Sequence, residues 1–301
     1  MSKPRITSGR IQVVIGLVLL AALIFQCHRA LTAKARQPQT PVAVQEPVRH
    51  RPSVAFAAPA PPSPVSEPPE ALAARDPMGF LQMAMERYDR TVRDYTCTFT
   101  KKELIGGKLT GEQVIDVWFR EKPFSVRMEW KRNADKISRV LYVADRWIDE
   151  GRQMALVEPA GSIARLFVSC VMRPINGEEA KRSSRRTIDQ FGMRNSLALT
   201  LKYARLAQEK NLLDLSYKGK GEVDGRPTFI FERRLPYTDE HGIWPDRVLV
   251  VHMDQEMLLP VLCLAYADDE RKILLGHYEI TNVKLNPNLP DSVFTKEGMG
   301  F

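Results

Sequence analysis

Between Tyr95 and Leu285 most of the chain repeats in steps of two, and that period restricts the possible fold more than any other feature. In Lys122-Pro-Phe-Ser-Val-Arg-Met-Glu-Trp130, Phe124, Val126, Met128 and Trp130 fall on one side, while Ser125, Arg127 and Glu129 fall on the other. Successive side chains of a strand alternate faces, so this is a strand pattern. The same period runs through Tyr95, Cys97 and Phe99, through Ile115, Val117 and Phe119, and then through 140–143 and 153–157. Gly106-Gly107 and Glu150-Gly151 supply turns between these runs. A second series covers 213–222, 227–233, 247–253, 259–266 and 272–285, with Asp224-Gly225 turning the first pair. About ten short strands without alternating helices exclude a parallel α/β layout. They predict a mainly β (α+β) fold, a half-open antiparallel β-barrel with an N-terminal helix and an inserted helical segment. Asp76-Pro77, followed by Phe80, Leu81 and Tyr88, predicts that N-terminal helix, running to about Arg93.

The first residues read differently. Lys3, Arg5 and Arg10 precede thirteen unbroken apolar residues, Val13 to Phe25, and no acid occurs before Glu46. A membrane span needs about 20 such residues, so residues 1–27 read as a signal peptide or a short N-terminal membrane anchor. Either way the chain is expected to be exported, to the periplasm or cell envelope. Cleavage after Ala33 or Ala35 and retention as an inner-membrane anchor both remain open. Residues 28–77 read as a disordered linker, with eleven prolines between Gln37 and Pro77 and few large apolar side chains. At ~3.1 Å per residue such a tether reaches on the order of 100 Å. Residues 78–301 are therefore expected to form the folded, functional domain.

Of the net charge of +8, residues 1–77 hold +5, which leaves only +3 for the domain. That balance argues against nucleic-acid binding. Within the domain, residues 160–210 carry +6. Leu197, Leu201 and Ala204 recur there at helical spacing, predicting a helix over about 196–210 capped by Asn195-Ser196. The cluster Lys181, Arg182, Arg185 and Arg186 is expected in the loop before it. It reads either as a solvated loop or as a contact for anionic head groups, a membrane surface or a membrane protein.

Catalytic and metal-binding patterns are missing. The five histidines have no metal-ligand spacing, and there is no HExxH, CxxC or GxSxG. No metal or cofactor is implied. Gly219 to Gly225 precedes a strand pattern and lacks phosphate-loop spacing, so it reads as a hairpin. Cys97, Cys170 and Cys263 fit free thiols or a single disulfide. The densest polar constellation is Asp239, Glu240 and His241, which read either as a hydrogen-bonded turn or as the acid-base centre of an envelope hydrolase.

Tyr95-Thr-Cys-Thr-Phe-Thr-Lys-Lys-Glu103, the Gly-Gly hairpin, Asp116-Val-Trp-Phe-Arg-Glu-Lys-Pro123 and the strand to Trp130 resemble the front of the LolA/LolB-like lipoprotein-carrier superfamily. Val140 to Trp147, Met253 to Pro260 and Asn286 to Phe294 resemble its later hairpins and closing segment. Asp94-Tyr-Thr-Cys97 with Lys122-Pro-Phe-Ser-Val126 is closer to a family of exported bacterial proteins known only as a domain of unknown function. The resemblance implies a non-catalytic protein that binds a lipid or a lipidated protein in an apolar cavity. Its lining would be Phe99, Val117 or Trp118, Phe124, Val126, Met128, Trp130, Tyr142 and Phe231. The same residues also suit plain core packing. Carriers of this kind place a basic residue before the proline to hold a lid; here Lys122 stands there, with Arg120 two positions earlier. The basic Arg182, Arg185 and Arg186 would contact the lid or a partner, and in a second reading they make the chain a membrane-tethered interaction or sensor module.

Overall fold

Two helices open the folded region, each for a local reason. A computed structural model describes residues 67–134, 136–161 and 170–301; these fall in one unit, Pro64–Phe301. Residues 1–27, expected to be a signal peptide or anchor, and most of the Pro-rich stretch lie outside the described residues. The last part of that stretch is folded: α1, Pro69–Arg75, buries Ala73 and ties Glu70 to Lys220 at 2.7 Å and to the Tyr217 hydroxyl at 3.1 Å. Ala and Leu between the final prolines give one short helix an apolar side, which composition alone concealed. In α2, Pro77–Thr91, Pro77 starts the helix and the Asp76 carboxylate accepts from the Gly79 N–H at 2.8 Å. Phe80, Leu81, Ala84 and Tyr88 form its buried stripe.

The strands follow in chain order: β1 Asp94–Ile105, β2 Lys108–Leu109, β3 Gln113–Arg120, β4 Ser125–Arg132, β5 Ile137–Val143, β6 Ile148–Asp149, β7 Arg152–Pro159 and β8 Val171–Pro174. Next come α3, Glu178–Ser183, a 3-10 turn at Ile188–Gln190 and α4, Met193–Glu209. The chain then returns to strands with β9 Asp214–Val223, β10 Arg226–Arg234, β11 Val248–Asp254, β12 Pro260–Tyr266 and β13 Leu274–Leu285. All thirteen join one antiparallel, unclosed sheet ordered β6-β7-β5-β4-β3-β1-β13-β12-β11-β10-β9, with β2 and β8 beside the main path. This is the half-open barrel layout; the strands beyond the expected ten are short pieces, β2, β6 and β8.

Helix α4 begins one turn before the expected cap. Gly192, at φ 119°, precedes it without a side-chain cap, because a Cβ there would meet the Phe119 ring at 3.1 Å and the Tyr95 hydroxyl at 3.3 Å. Asn195 instead holds the incoming turn, its amide donating to the Phe191 and Asp189 carbonyls. The basic cluster is split, with Lys181 and Arg182 in α3 and Arg185 and Arg186 in the loop after it.

Both faces of the sheet are covered, in different ways. On the inner face, α2 and α4 pack Phe80, Leu81, Ala84, Leu197 and Leu201 against Phe229, Phe231, Leu249, Val251 and Met253 of β10 and β11. Beneath α4 the buried Arg233 forks onto Asp246 at 2.9 and 3.1 Å and donates to the Thr200 carbonyl. On the outer face a C-terminal strap, residues 289–301, covers Trp118, Leu141, Val143 and Leu156 with Phe294 and Met299. Arginines grip it: Arg127 donates to the Gly298 carbonyl at 3.0 Å and Arg146 to that of Phe294 at 3.2 Å. Arg139 donates to the Met299 carbonyl and lies 4.9 Å over Phe301. Among the described residues no helix is long and apolar enough to cross a membrane, and Cys97, Cys170 and Cys263 are unbridged.

Candidate functional site

Alternation along β1, β3, β4 and β5 builds an apolar strip on the inner face, apart from the helix-clamped cluster. Register sets Phe99 opposite Ile115 and Tyr95 opposite Phe119. It then sets Val117 opposite Met128, Phe119 opposite Val126 and Val126 opposite Tyr142. These residues share one cluster, against which Phe124, Trp130, Ile175, Ile188, Phe191 and Tyr278 pack partly buried. A continuous run of rings crosses it. Tyr278 stacks on Phe99 at 6.4 Å, and Phe99 meets Phe191 edge-on at 5.2 Å. Phe191 lies 6.1 Å from Phe119, which meets Phe124 at 5.2 Å; Tyr142 follows at 5.9 Å. Such edge and offset contacts are the favoured aromatic geometry.

Of the lining expected from sequence, Phe99, Val117, Phe124, Val126, Met128, Trp130 and Tyr142 share this strip. Two do not. Trp118, next to Val117, has the opposite parity; it lies on the outer face under Arg127, whose guanidinium sits 4.7 Å from its ring. Phe231 belongs to the helix-clamped cluster, stacked 5.0 Å from Phe80.

The expected lid and partner residues divide similarly. Arg120 cannot hold a lid on the inner face: it pairs with Asp291 and lies 4.6 Å over Phe294, anchoring the strap. Lys122 and Arg182 are exposed, Lys122 being joined to Pro123 by a cis peptide. Arg185 is half-buried and engaged, donating from its guanidinium to the Pro245 carbonyl at 2.8 Å and from its backbone N–H to Glu103 at 3.2 Å. Arg186 is half-buried beside it.

The strip ends in a carboxylate on each side. At one end Glu103, 1% exposed, accepts from Lys101 Nζ at 2.8 Å, Ser184 Oγ at 2.9 Å and the Tyr278 hydroxyl at 2.9 Å. Burial pushes its pKa upward, but the Lys101 charge and these donors outweigh it and hold the carboxyl below its usual range. At the other end Glu121 accepts from the Tyr88 hydroxyl at 2.5 Å. There burial prevails over the Tyr88 hydrogen bond and the Arg194 charge, and the carboxyl is raised. Arg194 itself is forked onto Asp89 at 2.6 and 3.2 Å.

The polar groups at the ends of the strip are engaged with one another. Ser184 lies 3.2 Å from Lys101 Nζ, yet the ammonium is occupied by Glu103 and the hydroxyl donates to the same carboxylate, so neither is a free base. Asp239, Glu240 and His241 form an open turn: His241 is 89% and Glu240 77% exposed at the side chain, 3.9 Å apart. Among the described residues no group of three or more His, Cys, Asp or Glu is placed to hold a metal ion. Sequence reading missed Phe191 and Glu103. A single ring in a polar loop gives no periodic signal. Glu103, in contrast, shares the inward parity of Cys97, Phe99 and Lys101, and an inward acid beside an inward lysine was the available sign.

The model of a family described as "Protein of unknown function (DUF1571)" matches residues 92–298. No curated protein matches the chain. Among solved structures it is similar to MucB, with 15% identity and a TM-score of 0.42 over 73% of this chain. That match covers 62% of MucB, so the chain spans less than two thirds of its length. It is similar also to a DUF1329 family protein from Desulfovibrio piger, at 15% identity and TM-score 0.38, covering 77% of this chain and 99% of that one. A LolA superfamily protein from Nitrosomonas europaea matches at 12% identity and TM-score 0.32, covering 72% and 98%.

Proposed function

The chain belongs to the DUF1571 family, and we propose that it is a non-catalytic cell-envelope protein that holds a lipid or the acyl chain of a lipidated protein against the aromatic strip. One observation carries this reading: the six-ring run is only partly covered. Phe124, Trp130, Phe191 and Tyr278 all remain half-buried around a fully buried floor of Phe119, Val126 and Val117. Ligand grooves take this form, an apolar bed with few polar groups at its ends. Met128 adds an unbranched, polarisable side chain that adapts to irregular guests. Export by residues 1–27 and reach along the Pro-rich stretch would place the groove near a membrane surface. Native mass spectrometry of the full-length chain, released gently from its host membrane fraction, tests the reading. An added mass that extracts as lipid is expected; a clean apo mass under the same conditions counts against it.

A second reading has its own observation. No residue of α3 is buried; it presents Arg182 and Lys181, the latter paired with Glu178 at 3.3 Å, to solvent beside an anchored loop, and these two cations are what would meet anionic head groups or a membrane protein. Replacing both with Glu is expected to weaken sedimentation with anionic vesicles and to leave lipid content unchanged.

A further inference from the structure

Residues 175–192 cross the aromatic strip with few apolar anchors. Helix α3 buries nothing, and the segment touches the strip through three partly buried side chains, Ile175, Ile188 and Phe191. Its polar attachments include the Gln153 carbonyl, which accepts from the Ile175 N–H at 3.1 Å, the Pro245 carbonyl, which accepts from the Arg185 guanidinium at 2.8 Å, and Glu103, the one that is a buried charge. That buried carboxylate takes the Ser184 hydroxyl and the Arg185 N–H from the segment, while Lys101 and Tyr278 fix it from β1 and β13. Hydrogen bonds to a buried charge are the strong kind, about twice a neutral one. Gly177 and Gly192 bound the segment, and Gly192 already holds a left-handed backbone.

We propose that Phe191 occupies the place of the guest hydrocarbon, and that the Glu103–Ser184–Arg185 attachment is a latch that sets how readily the ring gives that place up. The inference rests on the binding function proposed above. A guest chain lying between Phe99 and Phe119 must displace Phe191, and Phe191 leaves only with the segment that Glu103 restrains. Loosening the latch raises the fraction of molecules with the strip open, and apparent affinity rises in proportion. Glu103 is thus a positioning residue that never touches the guest.

The full chain is titrated with 1-N-phenylnaphthylamine, an apolar probe that fluoresces out of water, as wild type, Ser184→Ala, Glu103→Gln, Phe191→Ala and the double variant Glu103→Gln/Phe191→Ala. Melting curves and one-to-one stoichiometry verify that each remains folded. Ser184→Ala and Glu103→Gln are expected to bind about ten-fold tighter than wild type, and the Arg185 amide to exchange faster in Glu103→Gln. In the double variant the Glu103 change is expected to add nothing, because the displaced ring is already gone. Should Glu103→Gln not fold, Ser184→Ala carries the test. If the latch variants match wild type while Phe191→Ala binds tighter, the latch is wrong and the groove survives. If no variant takes up the probe, the latch and the binding function fall together.

Discussion

The inner face carries two apolar clusters that differ in what lies over them. Under α2 and α4, Phe80 is wedged against both Phe229 and Phe231, at 5.7 and 5.0 Å, and all three are buried. The helices above contribute buried stripes, Phe80, Leu81 and Ala84 from α2 and Leu197 and Leu201 from α4. Under residues 175–192 the rings are as numerous, and among the described residues their cover combines Phe191, Ile175 and Ile188 with Tyr88 of α2, Met193 of α4 and Leu259. One half of the sheet therefore has its rings fully under helices, and the other, over an equally buried floor, leaves Phe124, Trp130, Phe191 and Tyr278 half-buried. A row of inward Phe and Met cannot distinguish these outcomes; the length and amphipathicity of the covering segment can.

Truncations separate the halves most sharply. Phe231→Ala, beneath the helices, is expected to cost about 3–5 kcal/mol in urea unfolding, since transfer and cavity costs add where neighbours cannot collapse. A loss below about 1 kcal/mol would erase the distinction. Acid titration gives a smaller effect that differs in sign between the two ends of the strip. Glu103 has a lowered carboxyl, so its stabilisation is complete above the ordinary value of 4.5 and is lost as pH falls through the folded value. Glu121 is raised; its contribution is complete below that ordinary value and is lost as pH rises through the folded one. Melting temperature followed from pH 7 into acid is expected to decline less steeply in Glu103→Gln than in wild type, and the loss on approaching neutrality is expected to shrink in Glu121→Gln. Phe191→Ala should remove only about 1 kcal/mol, the worth of a half-buried ring, measured by the same urea unfolding. Least of all, Ala at Asp239, Glu240 and His241 together is expected to shift stability by within about 0.5 kcal/mol and probe binding not at all. A measured turnover abolished by that triple change would replace binding with catalysis.

Much of this was legible in the chain because local signals agreed. Asp76-Pro77 starts α2, Gly106-Gly107 turns β1 into β2, and the Lys122–Trp130 alternation sets Val126 and Met128 on the floor of the strip. Val117 and Trp118 were offered as alternatives because both are apolar and both are covered: Val117 lies with Ile115 and Phe119 on the inner face, and Trp118 lies on the outer face under the strap, between Asp116 and Arg120 in sequence. Phe231 shares the inward parity of the strip residues but stands strands away across β13, β12 and β11, a distance that periodicity does not encode. Asn195-Ser196 has the chemistry of a cap, yet tertiary crowding by Phe119 moved the start of α4 to Gly192.

The pairing of β1 with β13 bears on biogenesis. Tyr95 finds its partner in Leu285, roughly 190 positions downstream, and that contact joins the two ends of an otherwise sequential meander. Loop closure of this span is slow, so a chain emerging vectorially, from the ribosome or through a translocation channel, must wait with the unpaired edge of β1 and its greasy rings unprotected. A holding chaperone would meet that unfinished intermediate first.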